Sequence, residues 1–254
     1  MQEATWIAST RPSRMLNELK VRRPSEARKF RLVAVACCRR IWDLLDEPAR
    51  RAVDGLERFA DGRSNEGEMT ALAREALIAA WAHTEVPWAM HAAEAAANAV
   101  AWEDGHQRRP EGPVINRIAR VAGSAYHAAY ARAAALHPGA LEGGGRLAIR
   151  SEEAAESWQA AIQAEEAAQA ELVREVFGNV CRPIEFDPAW RSAGVAGLAR
   201  AIEESGDFDG MPALGDALEE AGCARPEILD HCRSPGGHVR GCWVVDAVLG
   251  IRAG

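Results

Sequence analysis

"SEARKFRLVAVACCRRIWDLL", residues 25–45, decides the fold class. Phe30, Val33, Ala34, Cys37, Ile41 and Leu44 or Leu45 recur at intervals of three and four, the spacing that aligns one face of an α-helix. Ser25 follows Pro24 and offers an N-capping hydroxyl. The stretch therefore predicts one long helix with Cys37 on its buried face and Cys38 beside it.

The same grammar extends in both directions. Residues 3–9 and 13–21 predict short helices, and Pro48 suits the first turn of a helix that Gly62 ends. Two alanine-rich helices are expected between Glu66 and Trp102, broken near Pro87, followed by one over 114–136 and another over 151–177 opened by Ser151. Asp187 with Pro188 predicts the start of a helix through Trp190, Val195, Leu198 and Ile202, and short helices fit 211–221, 226–232 and 239–249. Alternation with period two is nearly absent. The expectation is an all-α, irregular multi-helix bundle, with long helices in the first two thirds and a compact tail of short ones. Residues 1–178 form the bundle region, with a flexible connector near 137–150, and residues 179–254 form a C-terminal region sharing its core. The connector "HPGALEGGGR" lacks the Lys and Ser/Thr of a phosphate loop and follows no strand.

Composition narrows the classes further. The 254 residues are 48% hydrophobic and 26% charged, and no apolar run approaches the length of a membrane span. The opening "MQEATWIASTRPSR" carries no secretory pattern, so the expected location is cytoplasmic, in solution, with no membrane partner. The six cysteines are then expected as thiols. Charge is segregated: residues 11–51 carry a net +7, against −6 over 151–177 and −8 over 201–230. Such a pattern suits a basic helix docked on acidic helices of the same chain, or an anionic partner.

Chemistry concentrates in the tail. Cys223, Cys232, His238 and Cys242 form a C-x8-C-x5-H-x3-C string. If a helix runs through His238 and Cys242, both fall on one face and, with Cys232, present donors suited to zinc; the tight C-x2-C knuckle usual in structural zinc sites is missing. Cys242 in the first turn of a helix would also be a candidate nucleophile, since the positive helix end lowers a thiol pKa. No complete catalytic set accompanies it. Three bundle histidines, His83, His91 and His127, lack the paired Glu-x-x-His motifs of a di-iron centre, for which only Glu103 and His106 have the spacing. In the basic segment, Arg39 and Arg40 beside Trp42, together with Arg22 and Arg23, suggest nucleic-acid binding as an alternative.

Five segments carry a family resemblance: "EATWIASTRPSRMLNELK" (3–20), "RKFRLVAVACCRRIWDLL" (28–45), "RRAVDGLERFADG" (50–62), "LVREVFGNVCRPIEFDPAW" (172–190) and "LGDALEEAGCARPEILDHCRSPGGHVRGCWVVDAVLG" (214–250). On these the chain resembles a family of uncharacterised, mainly planctomycete proteins, with the likeness weak through the central third. The resemblance implies no activity, cofactor or catalytic residue; the setting of similar tails beside interaction modules implies a role in assembly or regulation. The resulting expectation is a non-enzymatic macromolecular interaction or regulatory protein without a cofactor. Its partner is another protein, and the surface includes Arg39, Arg40, Trp42, His238, Arg240 and Trp243. The alternatives are a thiol- or zinc-dependent site at Cys232, His238 and Cys242, and nucleic-acid binding by the basic N-terminal helices.

Overall fold

A computed structural model describes residues 1–23, 25–82, 113–136, 141–142, 146–147 and 152–251. The second alanine-rich helix, with Trp88 and Trp102, lies outside the described residues, as do His83, His91, Glu103, His106 and most of the connector.

The fold is all-α. Its helices among the described residues are α1 (Glu3–Ala8), α2 (Pro12–Arg22), α3 (Ala27–Arg39), α4 (Glu47–Ala60), α5 (Glu66–Ala82), α6 (Pro113–Leu136), α7 (Glu152–Phe177), α8 (Ala193–Ser205), α9 (Met211–Glu220), α10 (Pro226–Arg233) and α11 (Trp243–Leu249). The only strands among the described residues are two antiparallel dipeptides, β1 (Leu141–Glu142) and β2 (Arg146–Leu147), within the predicted connector. No described helix is long and apolar enough to cross a membrane.

The chain divides into two compact units, one of Ala8–Val173 and one of Met1–Ile7 with Arg174–Gly254. In the first, α3 packs against α4 and α6, while α4 packs on α5. Phe30, Val33, Ala34, Cys37 and Ile41 are all buried, as the helical spacing requires. The predicted single helix over 25–45 is shorter than expected. It begins at Ala27 after Glu26, which makes no side-chain cap, and ends at Arg39; a separate 3-10 turn covers Trp42–Leu44. Asp46 then starts α4 by accepting a hydrogen bond from the Ala49 amide at 2.9 Å. The helix thus stops at Arg39 before the hydrophobic stripe runs out, and Asp46 starts the next helix just after it.

In the second unit, α8 packs on α9 and α11, and α9 on α10. Their shared core includes Val195, Ile202, Met211, Leu214, Leu218, Ile228, Cys232, Cys242, Val245 and Val248. The N-terminal segment belongs here because Trp6 is buried and its indole N–H donates to the Gly178 carbonyl at 3.2 Å. The expected cap at Asp187 serves only a 3-10 turn over Pro188–Trp190. Ser192 begins α8 instead, accepting from the Val195 amide at 3.3 Å. Residues 179–187 are irregular and pair with no strand. The last helix is also shorter than predicted: it starts at Trp243, because Gly241 adopts a left-handed φ of +87° that an α-helix cannot include.

Close packing between α9 and α10 rests on Gly215. A β-carbon there would stand 2.9 Å from Cβ of Cys232, below any relaxed carbon contact and against an atom fixed to the helix. Gly215→Ala is expected to destabilise the protein by about 1–3 kcal/mol, as overpacking does, measured by urea unfolding.

Candidate functional site

Four side chains from three separate segments meet in the second unit. Glu175 lies near the end of α7, His231 in the last turn of α10, His238 in the irregular loop after it, and Cys242 at the N-cap of α11. Each offers one donor atom, and all of these atoms lie within 4.8 Å of one another.

Local sequence explains how each arrives. Gly178, with φ +65°, terminates α7 and leaves Glu175 in its final turn. Pro226 starts α10 in the position where a missing N–H costs nothing, so His231 falls near the end of an eight-residue helix. The loop Ser234–Gly241 folds back through a His238 N–H to Gly236 carbonyl bond at 2.8 Å and a Cys242 N–H to Val239 carbonyl bond at 3.0 Å. That path delivers His238 and Cys242 to one point without any helix between them.

Glu175 is the hub. Its Oε1 lies 3.0 Å from His238 Nδ1 and its Oε2 3.4 Å from His231 Nε2, which is also 3.2 Å from Cys242 Sγ. The two imidazoles meet edge to face, with centroids 5.0 Å apart. Burial by itself raises the Glu175 pKa, but hydrogen bonds and charge from both histidines outweigh it and hold the carboxyl at about 2. For His238 burial works in the opposite sense, and bonding to Glu175 with its charge wins, raising the imidazole pKa. His238 Nε2 is buried, and a long backbone contact with Ser234 adds to the rise.

The predicted roles divide accordingly. His238 and Cys242 do converge, but through a loop, so the i, i+4 helical face is corrected. Cys232 and Cys223 are not in the group. Cys232 is fully buried against Gly215, and burial pushes its thiol up to about 12; Cys223 is buried in the turn after α9, its N–H bonded to the Leu218 carbonyl. The expected lowering of the Cys242 pKa by the helix end is also corrected. Amides of Val244 and Val245 at the helix start do lower its pKa, but complete burial, reinforced by the Glu175 charge, raises it well above the ordinary thiol value. Desolvation wins over the helix dipole, and Cys242 is held as a neutral thiol.

The remaining candidates are paired within the chain. Arg39 binds Asp54 at 2.6 Å and Glu57 at 2.7 Å, with its guanidinium 4.2 Å above the half-buried Trp42 ring. Arg40 grips the buried Glu165 with two nitrogens, at 2.7 and 2.9 Å. Arg22 binds Glu18, Arg23 binds Glu26, and Arg240 binds Glu203 at 3.3 Å. Trp243 donates its indole N–H to His231 Nδ1 at 3.2 Å. His127 is half-buried, with the Tyr126 ring edge-on to it at 5.4 Å.

Sequence reasoning missed Glu175 and His231. His231 stands in the same tail as His238, but its spacing matched no ligand pattern. Glu175 lies 63 residues before His238. Its one signal was an acid in the last turn of a helix, where the dipole disfavours negative charge unless a cation compensates.

No family model, no curated protein and no solved structure matches the chain.

Two outcomes are expected from these electrostatics. A brief pulse of iodoacetamide on native protein, read by peptide mass spectrometry, should leave Cys242 unmodified while the partly exposed Cys181 reacts. Second, the folded-state pKa of Glu175 lies below its unfolded value. Its stabilisation is therefore complete above about pH 4.5 and lost as pH falls toward 2, amounting to about 3 kcal/mol. Denaturant titrations across this range should show that loss in the wild type and a flatter profile in Glu175→Gln.

Proposed function

We propose that this chain is a metal-binding interaction or regulatory module. A borderline divalent ion, zinc foremost, is held by Glu175, His231, His238 and Cys242, and the role is binding rather than catalysis. The observation that carries this reading is the convergence of a carboxylate, two imidazoles and a thiol within 4.8 Å from α7, α10 and the loop leading to α11. Nitrogen, sulfur and oxygen donors in that mixture suit zinc, which takes four ligands tetrahedrally. With bonds of about 2.0–2.3 Å, neighbouring zinc ligands stand about 3.3–3.7 Å apart. The contacts of 3.0–3.4 Å within the group need little rearrangement, and the wider separations need to close by about 1 Å.

A structural clamp fits better than a reactive centre. All four donors are protein side chains, which leaves a four-coordinate ion without an open position. The arginine pairings of the other unit support a protein partner over nucleic acid, because Arg22, Arg23, Arg39 and Arg40 already have carboxylate partners in the chain.

Elemental analysis of protein purified without chelator, followed by zinc titration calorimetry, tests the reading. One zinc per chain is expected, with stabilisation of about 2.7 kcal/mol at a free concentration one hundred times Kd. His238→Ala and Glu175→Gln should each weaken binding at least about ten-fold. Absence of stoichiometric zinc, with no rise in the unfolding midpoint on adding it, would refute the proposal.

A further inference from the structure

The hydrogen bond from Trp243 to His231 bears directly on how the cluster takes up a metal ion. An indole N–H can only donate. In the neutral ring, His231 Nδ1, 3.2 Å from Trp243 Nε1, is therefore the acceptor; a protonated His231 has no lone pair there and cannot make this bond. A neutral imidazole carries one proton, so that proton sits on Nε2, the atom facing Cys242 Sγ at 3.2 Å and Glu175 Oε2 at 3.4 Å.

Metal ligation needs the opposite tautomer. A histidine that ligates through Nε2 presents its lone pair there and carries the proton on Nδ1, donating it to a carboxylate, carbonyl or water. In the observed geometry an Nδ1–H would face the indole N–H, donor against donor. Flipping the imidazole to ligate through Nδ1 breaks the same bond. Either route requires the indole to leave His231.

The indole is not free to leave without consequence. It packs over Gly178, where a β-carbon would lie 3.2–3.3 Å from the ring. That residue also ends α7 and accepts the Trp6 indole bond at 3.2 Å. Trp243 is moreover the first residue of α11. Its displacement therefore alters the α11 start and the turn that holds α7 and the N-terminal segment.

We propose that Trp243 is a tautomer lock: its indole N–H holds His231 in the form that cannot ligate, opposing metal uptake, and metal binding displaces the indole and so signals occupancy to α11 and the Gly178 turn. This rests on the metal-binding reading above, and identifies Trp243 as a positioning residue that acts through His231. Unusually for a residue touching a site, its conservative replacement is expected to improve binding.

The test compares the full-length wild type with Trp243→Phe, which keeps an aromatic ring over Gly178 and removes the N–H. Circular dichroism and thermal unfolding confirm that the variant is folded. Zinc chloride titration calorimetry should show the variant binding about ten-fold more tightly, equivalent to about 1.4 kcal/mol. Independently, long-range nitrogen–proton NMR of zinc-free wild type, recorded where the His231 ring nitrogens report a neutral imidazole, should show His231 with its proton on Nε2. On adding zinc it should show the proton on Nδ1. Equal or weaker binding by the variant, or an Nδ1–H tautomer in zinc-free wild type, would overturn it while leaving the zinc reading intact. Failure of both chains to bind zinc would remove the zinc reading and the lock together.

Discussion

A carboxylate at the wrong end of a helix organises the C-terminal unit. Glu175 is 11% exposed in its side chain and sits where the α7 dipole is negative. Burying such a charge costs several kcal/mol unless donors surround it. Here His231 and His238 supply them, and Cys242 lies against the same group. The ending of α10, the path of the glycine-rich loop and the start of α11 are each constrained by the need to bring a donor to that carboxylate. The same requirement makes the group chemically versatile, since donors arranged around an anion are one deprotonation step from being ligands around a cation.

The other unit solves a related problem without reactive residues. Glu165 is 4% exposed and is met by a two-pronged guanidinium from Arg40, with the Gln169 amide donating at 3.2 Å. Arg39 is shared between Asp54 and Glu57 on α4. The basic character of residues 11–51 is thus answered partly by the acidic segment 151–177 and partly by neighbouring helices. These planar forks position helices, and removing one partner leaves a charge in a poorly solvated place. Trp42, stacked under Arg39 and 5.5 Å from the Arg50 guanidinium, extends the same cluster to the surface.

Helical class was legible from the spacing of Phe30, Val33, Cys37 and Ile41, because burial on a helix leaves a three-and-four signature in one dimension. Punctuation was less legible. Pro188 and Pro226 look alike in sequence, yet the first opens only a 3-10 turn and the second a true helix. Ser192, five residues after Asp187, competes with it for the role of cap and wins because Ala193 through Ser205 can follow it onto the core through Val195, Ala199 and Ile202. In the tail, the residues His238 and Cys242 were recognisable as donors, but their apparent helical spacing misled: Gly241 breaks the helix, and a loop brings them together.

By itself the sequence determined the all-α class, the buried faces of the main helices and the pool of donors in residues 231–242. These follow from local periodicity and side-chain chemistry, which need no knowledge of what packs where. Only the tertiary structure selected from that pool. It placed Cys232 against Gly215 in the core, brought Glu175 across 63 residues to His238, and aimed Trp243 at His231. The physical reason is that ligation and hydrogen bonding depend on the directions and separations of a few atoms, set when distant helices bury their apolar faces, and no sequence interval records those separations.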